Sequence, residues 1–87
     1  MTDTINVNIV SPSGEIFSGE ADRVTVPGSL GQMTILPKHA AILSSLINGK
    51  ITVQSKDGKN TDFVIDSGFV ENINNTLTII IENLSEE

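Results

Sequence analysis

Few side chains in this sequence can carry out covalent or acid–base chemistry. The 87 residues include one histidine, His39, and no cysteine, tryptophan or tyrosine. A Ser-His-Asp triad would need only His39, one serine and one aspartate, so its components occur by chance in most sequences. No Gly-x-Ser-x-Gly segment is present to hold a nucleophile in a sharp turn. The residue types therefore indicate a protein that is not an enzyme.

The carboxylates also lack the spacing of catalytic groups. Asp62 and Asp66 are four residues apart. That is about 13 Å along a strand, beyond the roughly 5–9.5 Å between paired glycosidase carboxylates. A single imidazole with scattered carboxylates would bind a metal only weakly. Neither a Walker P-loop nor a Gly-x-Gly-x-x-Gly segment occurs, so the sequence predicts no cofactor.

Charge and hydropathy bear on the class of partner. Eleven acidic and five basic residues give a net charge of −6. The basic residues are scattered, whereas binding to nucleic-acid phosphates needs them clustered. The N-terminal residues do not resemble a signal peptide, and no apolar run approaches the ~20 residues that span a bilayer. We expect no nucleic-acid binding and no membrane insertion, and the charge is compatible with a basic protein partner.

Alternating apolar and polar residues predict strands. Ile5, Val7 and Ile9 alternate with asparagines, and residues 11–14 and 19–20 are predicted turns. Short strands with turn signals about every 8–12 residues are typical of an all-β sandwich or barrel. The predicted strands comprise residues 5–9, 15–18, 22–26, 32–36, 50–55, 61–66, 69–73 and 77–82.

Prolines and glycines divide the segment that leads to His39. Pro27 is expected to end the strand before it, because proline fixes φ and has no N–H. Gly28 and Gly31 permit a tight turn, and Pro37 would close the short strand that follows. A strand held between two stiff turns, with His39 beside it, indicates a surface presented to a partner. The structural alternative is a histidine whose ring nitrogens bond nearby turn carbonyls.

The segment Lys-Asp-Gly-Lys at 56–59 predicts a hairpin. A three-residue loop would place Ile51 opposite Phe63 and keep apolar side chains on one face, which a two-residue loop would not do. We therefore predict the longer loop, with Gly58 in the left-handed conformation. Residues 40–48 fit a helix and a strand about equally well, and pattern alone does not decide between them. Asn74-Asn75 is a predicted turn, because asparagine tolerates positive φ.

Four motifs in a fixed order give the sequence a family resemblance. Together they resemble the epsilon subunit of the bacterial and chloroplast type of rotary ATP synthase, over roughly residues 5–82. The motifs are Val-Ser-Pro at 10–12 with Gly-Glu-Ile-Phe-Ser-Gly-Glu-Ala at 14–21, Pro-Gly-Ser-Leu-Gly-Gln-Met-Thr-Ile-Leu-Pro-Lys-His-Ala at 27–40, Ser-Gly-Phe-Val-Glu at 67–71 and Asn-Thr-Leu-Thr at 75–78. The resemblance favours a strand for residues 40–48.

The family fold sets the expected domain organisation. The resemblance implies a flattened two-sheet sandwich of about ten short strands. Residues 1–83 would form the epsilon-type N-terminal domain and residues 84–87 a polar tail. The family's C-terminal helical hairpin, which restrains ATP hydrolysis, is expected to be absent, so this polypeptide is predicted not to act as that inhibitor.

The resemblance also implies a function and partners. It implies a non-catalytic rotor subunit of the central stalk, which binds the gamma subunit and the polar loops of the c ring and couples proton flow to ATP synthesis. Its place would be the cytoplasmic face of the bacterial inner membrane or the equivalent organelle face. Matching motif positions assign the interface to Ser11, Gln32, Pro37, His39 and Ala40. The alternative is a free-standing β-sandwich module that captures a peptide or small ligand, for example at a sheet edge.

Two positions depart from the family pattern. Gln32 stands where many relatives carry glutamate, and Lys38 stands where relatives often have glycine. Gln32 still donates and accepts hydrogen bonds, but the segment is less negative than a glutamate–glycine version. A charge-based family contact is therefore not carried over to these two positions.

Overall fold

A computed structural model describes residues 4–84, and the chain is all-β over that range. The predicted fold class is confirmed, with eight strands in the described residues rather than about ten. The strands are β1 (Ile5–Ser11), β2 (Gly14–Ala21), β3 (Arg23–Gly28), β4 (Gly31–Ile35), β5 (Ile42–Leu46), β6 (Gly49–Gln54), β7 (Asn60–Ile73) and β8 (Thr76–Leu84). Residues 4–84 contain no helix with the length and apolar character needed to cross a membrane.

Period-two alternation decides which side chains enter the core. In β1, Ile5, Val7 and Ile9 are buried and Asn6 is exposed. β8 runs parallel to β1 and alternates in the same way. Burying one such aliphatic side chain contributes about 1.5–3 kcal/mol, so this cluster is the main source of stability. Among the residues whose side chains the structure describes, the other core members are Ala21, Val24, Val26, Ile35, Leu46, Ile51, Val53, Ile65, Val70, Leu77, Ile79 and Ile81.

One long hairpin connects the two halves of the sheet. β5 and β6 follow one another along β7 in a single register, from Ile42 opposite Asn72 to Gln54 opposite Asn60. The break between β5 and β6 lies opposite the residues where β7 shifts its register against β8. The first half of β7 therefore pairs with β6, and its second half pairs with β5 and β8.

Contacts between distant strands show how the sheet folds over. Hydrogen bonds connect the strands in the order β2-β1-β8-β7-β5-β3-β4, with β6 beside β3 and β7. The ring of Phe17 in β2 nevertheless packs edge-on against Phe63 in β7, with centroids 6.0 Å apart. Asp22 connects β2 directly to β3, and its N–H donates to the Gln54 carbonyl at 2.8 Å as the next bond of the β3–β6 ladder. The two halves therefore face each other as the layers of a sandwich around one core.

Two predicted strand ends are wrong. Residues 19–20 do not turn the chain, because β2 continues to Ala21, which pairs with Ile5 of β1. Pro27 does not end its strand but lies within β3. Proline lacks the N–H donor but keeps its carbonyl, and the Pro27 carbonyl accepts the Ile47 N–H at 2.9 Å. Pro27 thus takes part in sheet pairing as an acceptor.

Two predicted strands, 61–66 and 69–73, are one strand in the structure. β7 runs through both, and its register against β8 shifts between Ile65 and Gly68. Such a bulge bends a strand without ending it, so the chain continues through residues 67 and 68 as one strand. β8 extends to Leu84, the first residue of the predicted tail, while residues 1–3 and 85–87 lie outside the described residues.

Three local predictions are confirmed. Residues 42–46 form a strand, as the family resemblance favoured. Ile51 pairs with Phe63, so the β6–β7 loop has the predicted length, and Gly58 has a φ of 90°. Asn74 and Asn75 have φ values of 52° and 58°, as the turn between β7 and β8 requires.

Candidate partner-binding loop

The segment between β4 and β5, residues 36–41, is a largely exposed loop that carries the only histidine. The His39 N–H donates to the Leu36 carbonyl at 3.2 Å, which closes a turn around Pro37 and Lys38. Lys38 has a φ of 62°, in the left-handed region that costs an ordinary residue about 1–2 kcal/mol. A backbone in this conformation persists because surrounding contacts hold it.

The exposed ring of His39 lies against its own loop. Nδ1 is 3.1 Å from the Ala40 carbonyl oxygen, so a proton on Nδ1 donates to that carbonyl. This contact is the one expected if His39 has a structural role, in which its ring nitrogens bond nearby turn carbonyls. Because the side chain is also exposed, the same residue is accessible to a partner. Within residues 4–84, no three His, Cys, Asp or Glu side chains are grouped so that they could hold a metal ion.

A buried asparagine of β7 holds the second half of the loop. Asn72 is 0% exposed, and its Nδ2 donates to the His39 carbonyl at 3.3 Å and to the Ala40 carbonyl at 3.1 Å. Its Oδ1 has no hydrogen-bond partner among the described residues. The amide therefore directs both of its N–H groups to two consecutive carbonyls of the loop.

A second asparagine, in the turn between β7 and β8, holds the first half of the loop. Asn75 Oδ1 accepts the Lys38 N–H at 2.8 Å, and Asn75 Nδ2 donates to the Thr4 carbonyl at 2.8 Å. Its main-chain carbonyl also accepts the Asn6 N–H at 3.1 Å. One residue therefore ties together the loop, the β7–β8 turn and the start of β1.

Three of the five predicted interface residues, Pro37, His39 and Ala40, share this loop. Gln32 lies at the other end of β4, opposite Pro27, and is exposed. It borders a groove of about 490 Å³ on the outer face of β3 and β6. Gln32 is therefore separated from the loop by the length of β4 and is not part of it.

Ser11 lies away from the loop. It ends β1, seven residues beyond Thr4, the residue that Asn75 bonds. Seven strand residues span about 23 Å. The Ser11 hydroxyl is taken up by its own turn, where Oγ donates to the Gly14 carbonyl and accepts the Ser13 N–H, both at 3.3 Å. The structure does not bring Ser11 together with Pro37, His39 and Ala40.

The loop runs directly into exposed apolar side chains on the outer face of β5 and β7. Leu43 is 79% exposed and Ile73 is 51% exposed, and both border a groove of about 250 Å³ that begins at Ala41. Phe69 and Ile80, also exposed, pair with each other across β7 and β8. Adjacent exposed apolar side chains of this kind are typical of protein–protein contact surfaces.

Sequence reasoning missed both asparagines as part of this site. Asn72 follows Gly68 and Val70 on the buried face of β7, so a polar residue at a core position of an alternating strand was an available signal. Asn75 was identified only as a turn residue. Its bond to Lys38 spans 37 positions, and no local pattern indicates such a partner.

Residues 4–87 match the family described as "ATP synthase, Delta/Epsilon chain, beta-sandwich domain". The chain belongs to this family. It is similar to the ATP synthase epsilon chain of a Nitratiruptor species, with 42% identity over 80 residues that cover 92% of this chain and 62% of that protein. The ATP synthase epsilon chain of Xanthomonas oryzae pv. oryzae is 40% identical over 79 residues, covering 91% of this chain and 56% of that protein. The chain thus spans 56–62% of the length of these relatives.

Two solved structures share the fold of this delta/epsilon-family domain. A chain in the cryo-EM structure of the Euglena gracilis mitochondrial ATP synthase (OSCP/F1/c-ring, rotational state 1) matches with a TM-score of 0.89 and 20% identity, covering 98% of this chain and 54% of that chain. A chain in the central stalk/c-ring structure of the Tetrahymena thermophila mitochondrial ATP synthase matches with a TM-score of 0.73 and 24% identity, covering 93% of this chain and 65% of that chain. At these identities the likeness establishes the fold alone.

Proposed function

We propose that this chain is a non-catalytic rotor subunit of the central stalk of a proton-translocating ATP synthase. It binds the gamma subunit and the polar loops of the c ring and so helps couple proton flow to ATP synthesis. Its place is peripheral, on the cytoplasmic face of the bacterial inner membrane or the equivalent organelle face. Membership of the delta/epsilon family supports this proposal, as do relatives named ATP synthase epsilon chain.

One observation carries the assignment of the contact surface. The 36–41 loop presents His39 to solvent while its backbone is bonded to Asn72 and Asn75. Leu43 and Ile73 continue the same surface with exposed apolar area. A preorganised polar loop beside exposed apolar side chains suits protein binding, because little ordering remains to be done on association. We therefore place the rotor contact at Pro37, His39 and Ala40, with Gln32 at its margin.

The test is binding of the chain to a purified complex of gamma subunit and c ring, with wild type compared with His39→Ala. We expect the variant to bind about tenfold more weakly, which corresponds to ~1.4 kcal/mol, and to unfold at nearly the same denaturant concentration. Thr61→Ala, an exposed site on β7, serves as the control and should bind normally.

Two results would count against the proposal. A wild-type chain that does not bind the complex would contradict the rotor assignment and favour the free-standing binding module. A His39→Ala variant that loses stability but binds normally per folded molecule would show that His39 has only a structural role.

A further inference from the structure

The hydrogen bonds of Asn75 join segments that are far apart in the sequence. Its side chain accepts from Lys38, 37 positions away, and donates to Thr4, 71 positions away. Asn72 reaches His39 and Ala40 across 33 and 32 positions. Two neighbouring asparagines therefore make four side-chain hydrogen bonds, three to the 36–41 loop and one to Thr4, just before β1.

The turn between β7 and β8 does not itself require these bonds. Asn74 and Asn75 both have positive φ, a conformation that asparagine and glycine adopt with little strain. In the described structure the side chain of Asn74 makes no hydrogen bond, whereas that of Asn75 makes two. Conformational tolerance explains an asparagine at both positions, but only at position 75 does the side chain reach other segments.

The loop is bonded by residues outside it as well as by its own residues. Within the loop, one main-chain bond joins His39 to Leu36, and Lys38 is in the strained left-handed region. Fixing the backbone of a flexible residue costs conformational entropy. A loop left to order on binding would subtract this cost from the affinity for the partner.

We propose that Asn72 and Asn75 are positioning residues that fix the 36–41 loop in its binding conformation without touching the partner. Asn72 acts from the buried face of β7 through the carbonyls of His39 and Ala40. Asn75 acts from the β7–β8 turn through the Lys38 N–H. This inference rests on the proposed function, since it assigns the support of the same contact surface.

The β7–β8 turn offers a matched pair of variants to test it. Asn75→Gly keeps the positive φ and removes both long-range bonds, while Asn74→Gly changes the same turn and removes none. Binding of the full chain to the complex of gamma subunit and c ring is measured for both, together with amide hydrogen exchange at Lys38. We expect Asn75→Gly to bind about tenfold more weakly with faster exchange at Lys38, and Asn74→Gly to bind within about twofold of wild type.

The outcomes separate this inference from the function on which it rests. If the wild type and both variants bind equally well, the positioning role is overturned and the rotor assignment stays intact. No binding by the wild type would instead contradict the rotor assignment, and unchanged exchange at Lys38 in Asn75→Gly would then overturn the positioning role as well. If Asn75→Gly destabilises the fold, binding is expressed per folded molecule, and Asn75→Asp, which keeps the acceptor for Lys38, should recover most of the affinity.

Discussion

Two loops of this domain are held by different kinds of hydrogen bond, local in one and partly long-range in the other. The β6–β7 loop at 56–58 is supported by its immediate neighbours, with the Ser55 N–H donating to the Lys59 carbonyl at 2.8 Å and Ser55 Oγ donating to Asp57 Oδ1 at 2.6 Å. The Ser55 hydroxyl and the Lys59 N–H hold the pKa of the Asp57 carboxyl below its usual value. The 36–41 loop has its own bond from the His39 N–H to the Leu36 carbonyl. It is held in addition by Asn72 and Asn75, which lie in a different part of the sequence.

The two loops therefore depend on the rest of the fold to different extents. The hairpin loop carries its own hydrogen bonds, so its shape persists while β6 and β7 stay paired. The 36–41 loop is bonded in addition to Asn72 in β7 and to Asn75, which itself bonds Thr4, so part of its support lies outside the loop. Local opening of a structure follows such differences in support, so opening of the β7–β8 turn is expected to free the 36–41 loop while leaving the 56–58 loop closed.

Among the substitutions that separate the two loops, the largest loss of stability is expected at Asn72. Asn72→Ala removes two donors from a fully buried site, and the free energy of unfolding should fall by about 1–3 kcal/mol. Asn60→Ala, at the exposed start of the same strand, is the matched control and should change it by less than about 0.5 kcal/mol. Urea denaturation of both variants measures the difference. Equal, small effects would mean that the buried amide does not support the loop.

A smaller and purely local effect is expected at Gly58. Its φ is 90° and an added Cβ would meet no atom within 4 Å, so Gly58→Ala introduces backbone strain without a clash. We expect a loss of about 1 kcal/mol in stability and no change in amide exchange at Lys38. A neutral effect on the unfolding midpoint would argue against the left-handed conformation at this position. Faster exchange at Lys38 would show that the two loops are coupled.

The same contrast explains what could be predicted from the sequence. The hairpin register was predictable because Ile51 and Phe63 lie close together in the chain, and the Asp-Gly turn fixes which residues pair. The all-β class followed from alternation in segments such as β1. Residues 40–48 were assigned to a strand only through the family resemblance, since their own pattern was ambiguous, and residues 42–46 of this segment form it.

A physical reason explains why the hydrogen bonds that hold the 36–41 loop could not be predicted from the sequence. Asn72 occupies a core position where alternation predicts an apolar side chain, and the loop carbonyls that satisfy its donors lie 32 and 33 residues away. The bulge in β7 between Ile65 and Gly68 was likewise missed, because it is defined by pairing with β8 rather than by local residues. Ser11 was assigned by motif position, which carries no information on distance from the loop.

The 36–41 loop, and not the 56–58 loop, is proposed to face the rotor. The most direct test is to record amide NMR signals of the isotopically labelled chain while the complex of gamma subunit and c ring is added. We predict that the amides of Leu36, Lys38, His39, Ala40 and Ala41 shift or broaden, whereas those of residues 56–59 stay unchanged. Binding that perturbs residues 56–59 and leaves the 36–41 amides unaffected would contradict the account.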